Sequence, residues 1–201
     1  MVAKAEMMAP DAVMSVNEAI AKRRSVRSYQ PGHVDESGLR SLLEAAVWAP
    51  SARHEESWAF AVVQDVKLLK RISDRAKELL AEVNHRDHWP LSQPGIERFS
   101  DPGFNIFYNA GTLIVICGTQ SGPYVAADCW MAAENLMLAA CAADLGTCVI
   151  GLAVAALNDP QVKAEMGIPA AMTAIVPIIV GKPYGTTRSS ARKPPLILSW
   201  R

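Results

Sequence analysis

Lys22-Arg23-Arg24-Ser25-Val26-Arg27 places four cations and a hydroxyl within six residues. That set suits a phosphate monoester, because guanidinium forks meet its oxygens two at a time and the serine adds a donor from a third direction. The competing explanation is a solvated basic helix end that complements the helix dipole. A second polar cluster, Ala49-Pro50-Ser51-Ala52-Arg53-His54-Glu55-Glu56-Ser57-Trp58, sits between a helix-stopping proline and a tryptophan. A Ser-His-Glu triad within it is rejected, because nothing in one short loop fixes nucleophile, base and orienter in line. His85 and His88 form a pair without a third ligand at metal spacing, which favours an exposed histidine pair. Cys117, Cys129, Cys141 and Cys148 lie in apolar surroundings with no Cys-x-x-Cys, and are expected to be buried reduced thiols.

The chain that must position these groups has 201 residues, half of them hydrophobic, and its twenty basic and twenty acidic side chains cancel. One domain over residues 1–201 is the expectation. Zero net charge gives no global field toward nucleic acid or an anionic membrane, so an anion site has to be local. Glu6, Asp11 and Glu18 break the pattern of a secretory signal, and Asp128, Glu134 and Asn135 interrupt the longest apolar run, 125–143. A cytoplasmic protein with neither a nucleic-acid nor a membrane partner is therefore expected.

Ser15-Val16-Asn17-Glu18 has capping-box spacing before a short helix that leads into the basic stretch. Asp35 caps a second helix carrying Leu39, Leu42, Leu43, Ala46 and Val47, with Val34 placed to staple onto Leu39, and Pro50 ends it. Residues 58–63 read as a buried strand, and Asp65 starts another helix. Residues 84–110, rich in prolines, glycines and aromatics, read as a long loop or lid whose rings either stack on a planar substrate or form a local core. Residues 112–117 form a strand and 124–144 an apolar helix for the centre of the fold or a subunit interface, with Gly146 as its left-handed cap. Residues 147–152 are extended, 160–166 a helix stopping at Gly167, and 173–180 a strand whose Pro177 suggests an edge or a bulge. Helices alternating with single strands give an α+β or α/β sandwich.

Arg-Arg-Ser-Val-Arg, a Leu-rich helix ending in "WAPSA", "AADCWMAAENLMLAACAADLGTCVIG", and "IVPIIVGKPYG" with "ARKPP" follow one another in an order that resembles the nitroreductase family of flavin enzymes. The resemblance runs from about Ser15 to the end. It implies an α+β three-layer sandwich, a central mostly antiparallel sheet flanked by helices, in an intertwined homodimer with FMN at the subunit interface. Residues 181–201 would be a C-terminal extension reaching the partner.

Position by position, Arg23, Ser25 and Arg27 match the family's flavin-binding basic motif, Arg24 fills its more variable slot, and Arg192 with Lys193 matches the tail's phosphate ligand. Arg27 corresponds to the cation on the pyrimidine side of the flavin. Pro50, Ser51 and Ala52 match the loop that lies against the ring from the other subunit, and Ile150 and Gly151 the turn whose backbone amide faces flavin N5. The activity implied is hydride transfer from NAD(P)H through FMN to a small planar acceptor, a nitroaromatic or quinone, by a ping-pong mechanism.

The family's Pro-Ser-x-x-Asn-x-Gln-Pro-Trp is altered here: His54 replaces the asparagine, Glu56 the glutamine and Ser57 the proline. Histidine keeps one donor and one acceptor, whereas an ionised glutamate only accepts. Glu56 is therefore expected to pair with Arg53 or a basic-motif arginine rather than to touch flavin. The changes leave two alternatives open: specialised flavin chemistry (flavin fragmentation, dehalogenation or dehydrogenation), or a non-enzymatic flavin-holding redox protein.

Overall fold

The computed structural model describes residues 14–87, 98–99, 101–187 and 191–201, with the backbone alone for 83–87. Helices α1 (Val16–Lys22), α2 (Glu36–Val47), α3 (Val66–Asp87), α4 (Val125–Ala142), α5 (Val154–Leu157) and α6 (Pro160–Met166) are interleaved with strands β1 (Trp58–Val63), β2 (Thr112–Gly118), β3 (Gly146–Val149) and β4 (Thr173–Gly181). Local sequence starts several of them. The Glu18 N–H donates to Ser15 Oγ at 3.3 Å and the Ser15 N–H to the Glu18 carboxylate at 2.9 Å, closing the capping box of α1. Asp35 accepts from the Gly38 N–H at 2.7 Å at the start of α2. Asp159 caps α6, and Gly167 ends it at φ 70°.

The strands form one sheet in the order β1-β2-β4-β3, every neighbouring pair antiparallel. Strand alternation sends Leu113, Val115 and Cys117 to one face, where Ile72 of α3 and Leu157 of α5 cover them. Ile114 and Ile116 go to the other, under Leu42 of α2 and Leu136 of α4. Helices on both faces make the three layers the sequence led us to expect. By length and mean hydropathy α4 could cross a bilayer. Here Cys129, Ala132, Ala133, Leu136 and Ala140 pack it into the core, while Trp130 and Met131 stay exposed.

Four expectations are corrected. Helix α3 runs through Asp87 instead of yielding to a loop at 84, because no proline or glycine intervenes before Pro90. The left-handed residue after α4 is Asp144, at φ 54°, and not Gly146. Gly146 opens β3 instead, and a Cβ there would stand 2.8 Å from Val26 Cβ, so its missing side chain serves close packing. Residues 147–152 are not extended throughout, since a 3-10 turn begins at Gly151. Pro177 lies in an interior strand, with the register shift nearby at Ile116/Cys117. Its carbonyl accepts from the Ile150 N–H, and a residue's N and O face the same side of a strand. The donor that proline lacks therefore points to where β3 has already ended.

Candidate functional site

Beyond α1 the chain runs extended beside β3. Ser25 bridges Thr147 in parallel register, and the Val26 N–H donates to the Thr147 carbonyl at 2.9 Å. Tyr29 bridges Pro183, and its half-buried hydroxyl donates to the Val26 carbonyl at 2.7 Å. Alternation buries Val26 and leaves Ser25 and Arg27 facing out.

A cleft of about 230 Å³ opens at the end of α1, lined by Lys22, Arg23, Arg24, Thr147, Pro183 and Thr187, among others. The Arg24 guanidinium donates from Nη1 to the Ala21 and Arg23 carbonyls at 2.6 and 2.8 Å, and its Nε is buried with no acceptor among the described residues. A buried donor left unsatisfied costs ~1–3 kcal/mol, which an anion's oxygen would relieve. Arg23 lies beside it, Nε 3.6 Å from the Glu134 carboxylate. Lys22, Arg23 and Arg24 lining one cleft fit the phosphate of FMN.

Arg27 stands two residues further along the parallel pairing, toward the end of β3, with its guanidinium 5.9 Å from the Tyr108 ring centroid. Just past that end is the Ile150–Gly151 turn. The Ile150 amide is occupied, donating to Pro177 at 2.9 Å. Gly151 starts the 3-10 turn Gly151–Ala153, where first amides have no acceptor within the turn. It is exposed, and a Cβ there would meet nothing within 4 Å. Of the two residues expected to offer an amide to flavin, Gly151 is thus the one left free to do so.

The Pro50–Trp58 segment is a strained turn. Arg53, His54 and Glu56 adopt φ of 58°, 56° and 46°, at ~1–3 kcal/mol each. Three side chains help to hold it. The Ala52 N–H donates to both carboxylate oxygens of buried Asp128 at 3.1 and 3.3 Å, and the Glu56 N–H to Ser51 Oγ at 3.1 Å. Gln120 donates to the Glu55 carboxylate at 2.8 Å and to Ser57 Oγ at 2.7 Å. Among the described residues Glu56 makes no ion pair, so the pairing expected with Arg53 or a motif arginine is absent; it is Glu55 whose carboxylate is bound. His54 and Glu56 are exposed. The turn meets α4 at Asp128 whereas the cleft meets it at Cys141, which helix rise puts about 20 Å apart.

Phe99, Phe104 and Tyr108 form an edge-to-face ladder with centroids 5.6 and 5.5 Å apart. Phe107 is fully buried, and Lys77 Nζ donates to the Phe104 carbonyl at 2.9 Å. The described part of the 84–110 region is therefore a local core. Trp89, His88 and the His85 side chain lie outside the described residues. Arg192 and Lys193 are exposed on the tail and do not line the cleft.

The nitroreductase family model matches residues 20–182. The chain belongs to that family. A protein of Archaeoglobus fulgidus named "Putative NADH dehydrogenase/NAD(P)H nitroreductase" is 27% identical over 169 residues, covering 82% of this chain and 83% of its own. The crystal structure of a nitroreductase with bound FMN from Bacteroides fragilis superposes with a TM-score of 0.78 at 26% identity, over 92% of this chain and 98% of that one. Iodotyrosine deiodinase bound to FMN and 3-iodo-L-tyrosine superposes with a TM-score of 0.70 at 22% identity, over 91% and 97%, a likeness of fold.

In this nitroreductase-family chain, sequence reasoning missed Thr147, Pro183 and Thr187 around the cleft, and Asp128 and Gln120 around the turn. Asp128 had a signal, a lone acid in the apolar run 125–133, but it was weighed only against a membrane span. Burial pushes the Cys117 and Cys129 thiols up to about 11 and raises that of Cys148. Burial raises the Cys141 thiol too, so what sets it apart from the other three is access. Ellman titration of the native protein is expected to find only Cys141, the partly exposed one, reacting quickly, with all four reacting after denaturation.

Proposed function

We propose that this protein is an FMN-dependent oxidoreductase that takes hydride from NAD(P)H and delivers it to a small planar acceptor, a nitroaromatic or a quinone, in alternating half-reactions at one site. The observation that carries this is the cationic cleft with its orphaned Arg24 Nε, set in a nitroreductase-family chain beside the open Gly151 turn. FMN, when bound, supplies the hydride chemistry at N5. Arg23, Arg24 and Ser25 hold its phosphate. Arg27 places a fixed cation on the pyrimidine side, where negative charge accumulates. The Gly151 amide offers a donor that cannot titrate away.

The site is shared between two copies. The Pro50–His54 turn and the cleft sit toward opposite ends of α4, so a turn facing the ring is supplied more readily by the partner than by the same chain. Val16 and Ile20 on α1, Val47 and Trp48 at the end of α2, and Trp130 and Met131 on α4 are exposed apolar surface of the kind a second copy covers. Leu196, Leu198 and Trp200 are also almost fully exposed, which supports a tail, residues 181–201, that docks on the partner and brings Arg192 and Lys193 to the phosphate.

Purified protein is expected to be yellow or to take up FMN, and to give parallel double-reciprocal plots when NAD(P)H and a quinone are varied together. A protein that stays colourless in excess FMN overturns the assignment. His54 and Glu56, exposed and without side-chain partners among the described residues, support a second reading in which the turn serves specialised flavin chemistry: fragmentation, dehalogenation or dehydrogenation. Slow turnover with every quinone and nitroaromatic tried, despite tight FMN binding, would favour that reading or a redox protein that only holds flavin.

A further inference from the structure

We propose that Asp128 is a positioning residue for the flavin, acting through the Ala52 amide to hold the Ser51–Ser57 turn in shape. This rests on the FMN reading above for its consequence, though not for its geometry. Asp128 is 2% exposed. Among the described residues its carboxylate has no cation and no donor other than the Ala52 N–H, which it accepts at 3.1 and 3.3 Å. An acid in the first turn of α4 complements the helix dipole, but it does so from the surface as well, and burying it with one protein donor is costly. It is a good way to fix one backbone amide, because a charged acceptor makes the stronger hydrogen bond.

The amide it fixes begins the 3-10 turn Ala52–His54, immediately before two residues in the left-handed region. Non-glycine residues remain there only when their surroundings over-determine them. The other anchors act later in the turn: Ser51 Oγ closes its neck on the Glu56 N–H, and Gln120, itself exposed, ties down Glu55 and Ser57. Among the described residues, the hydrogen bond to Asp128 is the one that joins the start of the turn to the core, through α4. Its bond therefore sets where Ser51, Ala52 and His54 lie, the part of the turn assigned to the ring.

The test removes the bond from each side. Asp128→Ala deletes the acceptor, and Asp128→Asn keeps a neutral one. Ala52→Pro deletes the donor: Ser51, at φ −131° and ψ 150°, already has the conformation that precedes a proline, and because the ring Cδ would take the amide hydrogen's place against the carboxylate, this change is made in the Asp128→Ala background. In apo protein, hydrogen exchange of the peptide spanning 51–57 is expected to quicken about tenfold in Asp128→Ala, the loss of a charge-assisted bond. FMN affinity should fall by roughly the same factor, while β2 and α4 exchange as before. Asp128→Asn should stay within about threefold of wild type on both measures, and Ala52→Pro should add nothing to Asp128→Ala.

Unchanged exchange in 51–57, faster exchange spread evenly through the core, or additive effects of the two substitutions would each overturn the proposal. Should the wild-type chain fail to bind FMN, the flavin reading falls and the consequence for flavin falls with it. The exchange measurements then still decide whether Asp128 positions the turn.

Discussion

Arg23→Ala is expected to weaken FMN binding by roughly thirty- to a hundredfold, about 2–2.7 kcal/mol. The size follows from what is lost, a guanidinium able to give a phosphate two parallel charge-assisted hydrogen bonds. Arg23 is partly buried, with 20% of its side chain exposed, at the mouth of the cleft. Its cost to the fold should be small, because its ion pair with half-exposed Glu134, at 3.6 Å, is of a kind worth less than ~1 kcal/mol. Arg23→Lys keeps the charge but not the fork, and should fall between alanine and wild type. Riboflavin supplies the control. Lacking the phosphate, it should bind wild type and Arg23→Ala alike in a fluorescence titration, and the FMN difference should shrink as salt is raised. An equal loss for riboflavin would mean that Arg23 shapes the ring pocket, and the phosphate assignment would fail.

What the sequence made legible depended on how local the cause was. The capping box at Ser15, the Asp35 cap, the strand at residues 58–63 and the stop at Gly167 are each decided within a few residues, and the structure has them where expected. The basic stretch was legible as a candidate anion site because four cations in six residues are conspicuous in a neutral chain. Its orphaned Arg24 Nε was not, since that depends on which carbonyls the guanidinium meets after folding. Gly146 was misassigned for the same reason. By position it belongs to a helix cap, but Asp144 tolerates the left-handed conformation there, and the neighbour that needs a glycine at 146 lies far away in sequence. Pro177 was half legible: its strand is interior and not an edge, but a register irregularity lies two residues away, where Ile175 is the extra residue opposite Ile116/Cys117.

Gly146→Ala should therefore damage the site as well as the fold. The added Cβ would stand 2.7 Å from Val26 Cγ2, 2.8 Å from Val26 Cβ and 3.0 Å from Pro183 Cγ. No side-chain rotation moves a Cβ, so relief must come from the backbone of the 23–27 segment lifting away from β3. Overpacking of this kind costs ~1–3 kcal/mol. For a domain of this size that lowers Tm by about 2–4 °C per kcal/mol, so a fall of roughly 4–8 °C is expected for a mid-range cost. The same displacement stretches the hydrogen bond from Val26 to Thr147, both of which line the cleft, and carries Arg23 and Arg24 out of place. FMN affinity should drop about tenfold, the effect of one charge-assisted contact. Gly181→Ala is the milder comparison, because the Cβ there would meet the Tyr29 ring at 3.0 Å, a side chain that can tilt. Second-site changes locate the clash. Val26→Ala removes the two γ-methyls but leaves the Cβ, and should restore little of the FMN affinity of Gly146→Ala; Val26→Gly removes the Cβ as well and should restore most of it, at some cost in stability from the freer backbone. Equal rescue by the two would mean that the methyl alone had clashed and that the segment carrying the arginines had not moved.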